Sequence, residues 1–132
     1  MNHALLIIDD DDVFLHLHEQ LLLKHGLINS PMKFETCSQA FDYIQQIKDS
    51  DTKFFILLDI YMDGMSGWDF MDQLYAHNLQ DLTRVVIVTS SISLHDHKKS
   101  KEYPNIQSYI EKPFTNEHLK QLLEETDLKD FL

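Results

Sequence analysis

Asp9, Asp10, Asp59, Thr89 and Lys112 each stand where a short apolar run breaks off. The runs are Ala4–Ile8, Phe54–Leu58, Arg84–Val88 and Ile106–Ile110, the last followed by Glu111 and then Lys112. Read as parallel strands, they would bring polar side chains from four separate strands to one rim at their carboxyl ends, where open α/β sheets bind ligands. Three carboxylates and one ammonium leave two uncompensated negative charges there. Like charges that close raise carboxylate pKa values or demand a cation. Ligands that are all oxygen suit a hard divalent ion, Mg²⁺ or Mn²⁺, rather than Zn²⁺. Because Mg²⁺ commonly takes only one or two carboxylates, Asp59 stays free to attack phosphorus as a carboxylate nucleophile. Phosphoryl transfer asks mainly for positioning and charge neutralisation, which the metal, Lys112 and the Thr89 hydroxyl can supply to the equatorial oxygens.

The elements that must position these groups are legible in the hydrophobic pattern. Phe54–Leu58 is apolar without alternation, the signature of a strand covered on both faces. Residues 13–25 carry Val13, Leu17, Leu21 and Leu22 at helical spacing, with Gly26 behind Lys24 and His25 as a stop. Met32–Thr36, behind Ser30-Pro31, is a short strand candidate, and Ser38 is placed to cap a helix to about Lys48 with Phe41, Ile44 and Ile47 inward. Further helices are expected over 68–77, over 94–102 and over 115–124, the last with Leu119, Leu122 and Leu123 inward. Strands and helices alternate along the whole chain, which predicts an α/β fold, a right-handed doubly wound parallel sheet of five strands flanked by five helices. The tail, Glu125–Leu132, is acidic but ends in Phe131-Leu132, so it is expected to dock on the last helix or on a partner.

Composition narrows the function. The 132 residues suit one domain with one sizeable core, and 43% apolar content argues against disorder. A net charge of −11 argues against direct nucleic-acid binding and against attraction to anionic membranes. Cys37, the one cysteine, permits no intrachain disulfide, which fits a reducing compartment. The apolar runs are too short for membrane insertion, so the expectation is a soluble, cytoplasmic protein.

Taken together, Ile7-Ile8-Asp9-Asp10, Leu57-Leu58-Asp59 with Met62 through Gly67, Val88-Thr89-Ser90, and Tyr109-Ile110-Glu111-Lys112-Pro113-Phe114 resemble the receiver domains of two-component response regulators. The resemblance runs through essentially the whole chain in order and spacing. It implies a flavodoxin-like sheet in the order 2-1-3-4-5, with residues 1–132 forming a single receiver domain without an output domain. Asp59 would accept a phosphoryl group from a sensor histidine kinase or phosphotransfer protein. Asp9, Asp10, Asp59 and the Tyr61 backbone carbonyl would gather Mg²⁺, Lys112 would contact the phosphoryl group, and Thr89 and Tyr109 would form the switch. Lys112–Pro113 would be cis. Such a protein is no enzyme toward a separate substrate; it catalyses only its own phosphorylation and dephosphorylation, works as a monomer or weak dimer, and signals to a downstream effector protein. Two positions depart from the family pattern, since Asp63 stands where proline is common after the methionine, and Tyr61 is bulky.

Other classes fit less well. Four consecutive aspartates after the first strand would repel a flavin phosphate, and position 61 lacks the second acid of an aspartate-nucleophile phosphohydrolase and the ligand an EF-hand needs. A receiver-like adaptor that binds its partner constitutively, without phosphorylation, is the serious alternative. His95-x-His97 and Lys98, Lys99 and Lys101 read as a solvated helix face. Asp11 and Asp12 read as charges compensating a helix N-terminus.

Overall fold

The structure, a computed structural model, describes residues 2–26, 31–49 and 51–132; Ser30, expected just before the second strand, lies outside them. Five parallel strands, β1 (Asn2–Ile8), β2 (Met32–Phe34), β3 (Thr52–Leu58), β4 (Thr83–Thr89) and β5 (Ile106–Glu111), form one sheet in the order β2-β1-β3-β4-β5. The crossovers are α1 (Asp12–Lys24), α2 (Cys37–Ile47), α3 (Gly67–Ala76) and α4 (Leu94–Ser100), and α5 (Asn116–Glu125) follows β5. This is the doubly wound arrangement the alternating pattern predicts, in the flavodoxin-like order the family resemblance implies.

Both sheet faces are apolar because both are covered. Leu6, Ile8, Phe54, Ile56, Leu58, Val85 and Ile87 face α2 and α3 through Phe41, Ile44, Phe70, Met71 and Leu74. The alternate residues Leu5, Ile7, Phe55, Leu57, Val86 and Val88 face α1 and α5 through Leu15, Leu22, Leu119 and Leu122. That two-sided burial removes the polar-out half of the strand pattern.

Several boundaries and faces differ from expectation. Thr36 caps α2, accepting from the Gln39 backbone N–H, so Ser38 lies inside the helix and β2 ends at Phe34. Val13 and Leu17 are 64% and 52% exposed. The buried stripe of α1 runs through Leu15, His18 and Leu22 instead, so the face turned to the core is not the one the apolar spacing marks. Ile47, the last residue of α2, is also exposed.

The tail docks, but not only on α5. After Thr126 the chain makes a 3₁₀ turn over Leu128–Phe131, and Leu128 and Phe131 are buried in the layer beneath α5. The Phe131 ring lies 4.9 Å from His3 and 5.5 Å from Phe55, while Asp127 takes a 2.7 Å ion pair from Arg84 of β4. This segment therefore closes the core over the amino-terminal half of the sheet.

Candidate functional site

The carboxyl rim is set by ladder hydrogen bonds carried past the strand ends. The Asp9 N–H donates to the Phe34 carbonyl (3.0 Å), the Asp59 N–H to the Ile8 carbonyl (3.0 Å) and the Lys112 N–H to the Thr89 carbonyl (2.8 Å). Each functional side chain is thus fixed by the neighbouring strand. The loop after β3 is drawn close by Gly67, whose N–H donates to the Ile60 carbonyl at 3.0 Å. A Cβ on Gly67 would stand 2.6 Å from the Ile60 Cα, so only glycine allows α3 to begin there. Ser66 caps that helix reciprocally with Asp69.

Carboxylate oxygens of Asp9, Asp10 and Asp59 lie within 4.8 Å of one another. Asp9 and Asp59 are buried and Asp10 is exposed at the rim. Lys112 Nζ reaches between the two buried acids, 2.7 Å from Asp9 Oδ2 and 3.2 Å from Asp59 Oδ2, and sits 4.0 Å over the Phe14 ring. The remaining oxygens are satisfied locally, Asp9 Oδ1 by the Asp11 N–H (2.9 Å) and Asp59 Oδ1 by the Tyr61 N–H (3.2 Å). Burial pushes the Asp9 carboxyl above its ordinary range despite the Lys112 contact. Burial also opposes the charged form of Lys112, yet its hydrogen bond to Asp9 and the charges of Asp59 and Asp9 outweigh it and hold the ammonium above its usual pKa. One lysine cannot neutralise three acids. The oxygen-only set, half solvent-facing through Asp10, fits a hydrated hard divalent cation.

Around this centre the other singled-out residues take distinct places. Thr89 is fully buried and its Oγ1 accepts from the Ser91 N–H at 3.2 Å. Tyr109, half-buried, donates its hydroxyl to the Ser91 carbonyl at 3.1 Å and meets the His97 ring edge-on at 5.0 Å. Tyr61 carries its backbone to Asp59 but sends its phenol away from the acids, to Asp96. Lys112–Pro113 is cis, as expected. Asp11 caps α1 through the Val13 N–H, which accounts for it without a metal, and Asp12 lies in the first helical turn.

Two buried ionisable groups, Asp96 and His18, are missing from the sequence-based expectations. Asp96, on the helix that reads as a solvated face, is buried and accepts from three side chains. His18 is buried between Phe14 (5.8 Å) and Phe114 (5.6 Å) with neither ring nitrogen partnered. No signal in the sequence flags them, because each burial depends on how its helix is turned against its neighbours.

The doubly wound parallel sheet, with its carboxylate–lysine cluster at the carboxyl rim, has the architecture of a receiver domain. The family model for the response regulator receiver domain matches residues 5–124, and the chain belongs to that family. Among solved structures it is similar to a two-component response regulator from Cytophaga hutchinsonii, at 22% identity over 93% of this chain and 95% of that one, with a TM-score of 0.80. A CheY-like receiver domain protein from Methanospirillum hungatei JF-1 is 26% identical over 98% of this chain and 95% of that one, with a TM-score of 0.70. A receiver protein from Dyadobacter fermentans is 26% identical over 92% and 95%, with a TM-score of 0.78. No curated protein matches the chain. No helix among the described residues is long and apolar enough to cross a membrane.

Proposed function

We propose that residues 1–132 act as one phosphoaccepting receiver unit in the cytoplasm, taking a phosphoryl group on Asp59 and passing the signal on through protein contacts. The observation that carries this reading is Asp59 itself, buried at the end of the central strand, within 4.8 Å of two further acids and 3.2 Å from Lys112. An Asp59 carboxylate oxygen attacks phosphorus, the donor's P–N bond breaks, and the released imidazole of a kinase or phosphotransfer histidine takes up a proton. Asp9, Asp10, Asp59 and the Tyr61 carbonyl would hold Mg²⁺, whose charge neutralises the phosphoryl oxygens. Lys112 orients the incoming group and offsets its charge.

The new group adds about −1.5 to −2 charge and strong acceptors at Asp59. Thr89 and Lys112, on neighbouring strand ends, are the donors able to meet it. When Thr89 turns its hydroxyl inward, its contact with the Ser91 N–H is lost, and Tyr109 is tied to that same residue. The response then reaches α4, β5 and α5, where an effector would sense it. Charge-assisted hydrogen bonds of about 1.5–3 kcal/mol each suffice for a tens-fold population shift, not for a locked switch.

Three results are expected. A small phosphodonor with Mg²⁺ should add one acid-stable, base-labile phosphoryl group to the parent and none to Asp59→Asn; a constitutive adaptor would take up none. Thr89→Ala should still be phosphorylated while the amide chemical shifts of residues 92–112 respond less to a phosphoryl mimic; a full response would rule out this coupling. Mg²⁺ at tenfold its Kd should stabilise the parent by about 1.4 kcal/mol. Asp10→Asn should lose that gain while becoming more stable without metal, since one charge of the repelling set is gone. A parent melting temperature indifferent to millimolar Mg²⁺ would contradict the shared site.

A further inference from the structure

Asp96 is 3% exposed, and its partners are neutral donors from three different elements. The Tyr61 hydroxyl, from the loop after β3, donates to Oδ2. The Trp68 Nε1–H of α3 donates to Oδ1 at 3.2 Å, and the Ser91 hydroxyl, from the loop after β4, donates to Oδ2 at 2.7 Å. A buried carboxylate tolerates such a site only while its acceptors stay satisfied. It therefore resists any movement that draws one donor away. Ser91 is the donor in question: its N–H holds Thr89 Oγ1, its carbonyl holds the Tyr109 hydroxyl, and its own hydroxyl holds Asp96. A displacement of Thr89 toward Asp59 reaches Asp96 through this one residue.

We propose that Asp96 is a positioning residue that latches the first turn of α4 and the loop behind Thr89 in the unphosphorylated arrangement, with Tyr61 as its clasp from the loop after β3. The latch rests on the proposed receiver function and sets its threshold. Phosphorylation must draw Ser91 off Asp96 before Tyr109 is released. Because the coupling is reciprocal, weakening the latch raises the affinity of Asp59 for a phosphoryl group in the same measure as it frees α4. Tyr61→Phe isolates the effect: it keeps the ring and the backbone beside Asp59 and removes only the hydroxyl, at a side chain that is largely exposed.

The test uses the full chain, Tyr61→Phe and Asp96→Asn, titrated with beryllofluoride and Mg²⁺, together with amide hydrogen exchange over Leu94–Ser100. Both variants are expected to bind beryllofluoride roughly tenfold tighter, the scale of one charge-assisted hydrogen bond. Their amide shifts over 89–111, without the mimic, should move along the line joining the free and beryllofluoride-bound parent. Exchange over α4 should quicken by a similar factor even in an Asp59→Asn background. Unchanged affinity with unchanged exchange in Tyr61→Phe overturns the latch, as do shifts that leave that line. If the parent binds no beryllofluoride, the receiver function fails instead. The latch is then judged on α4 exchange alone, supported if Tyr61→Phe quickens it and overturned if it does not.

Discussion

Removing residues 126–132 should destabilise the domain by more than about 4 kcal/mol, a large share of the roughly 5–15 kcal/mol that holds an ordinary domain folded. The family match ends at residue 124, yet the core does not. Leu128 is fully buried, and Phe131 packs its ring against Phe55 of the central strand and His3 of β1. Truncating a buried leucine or phenylalanine to alanine costs about 2–5 kcal/mol each, because the lost transfer energy is joined by the cavity left behind. Phe131→Ala alone should therefore cost about 3 kcal/mol, a fall of roughly 10 °C in Tm for a domain of this size. Lys129→Ala, on the exposed side of the same turn, should change little. Urea unfolding of the three proteins decides it, and a loss below about 1 kcal/mol on deletion would show that the tail is a free appendage.

Acidification should weaken the fold through His18. Burial, with the nearby Lys112 charge adding to it, lowers the His18 pKa from 6.5 to about 4. Between those values the unfolded chain binds a proton that the folded chain refuses, so stability is full above the unfolded pKa and is lost as pH falls through the window. The whole shift corresponds to about 3 kcal/mol. His18→Leu should abolish that slope. It should also stabilise the protein at neutral pH, since two buried, unpartnered ring nitrogens disappear, a liability of about 1–3 kcal/mol. Denaturant midpoints for parent and variant at pH 7, 6, 5 and 4 give the difference directly. Parallel profiles would mean that His18 finds a partner or accepts its proton.

What is legible in the sequence, and what is not, divides along a physical line. Strand cores and their polar ends are legible because two-sided burial leaves an unbroken apolar run, and because Asp9, Asp59, Thr89 and Lys112 each mark where it stops. Thr36 rather than Ser38 as the cap of α2 is not, since both residues can cap and only the point where β2 ends decides between them. The burial of His18 and the exposure of Val13 and Leu17 depend on how α1 is rotated on the sheet, a tertiary quantity that the periodicity of a helix with apolar residues on several sides leaves open. Asp96 is hidden for the complementary reason. A carboxylate amid His95, His97 and three lysines reads as solvated until Tyr61, Trp68 and Ser91 are seen to surround it. The apolar end of the tail stands out in the sequence, but its target, a sheet face left uncovered beside α5, exists only in three dimensions.

The most direct measurement is the position of the phosphoryl bond. Protein treated with a small phosphodonor and Mg²⁺ is quenched with borohydride, which reduces an acyl phosphate to the alcohol, and the digest is sequenced by mass spectrometry. If Asp59 is the phosphoacceptor, homoserine replaces aspartate at position 59 and at no other acid. A protein that gains a phosphoryl group while Asp59 is recovered unreduced, with the mark on Asp9, Asp10 or another residue, would contradict that assignment.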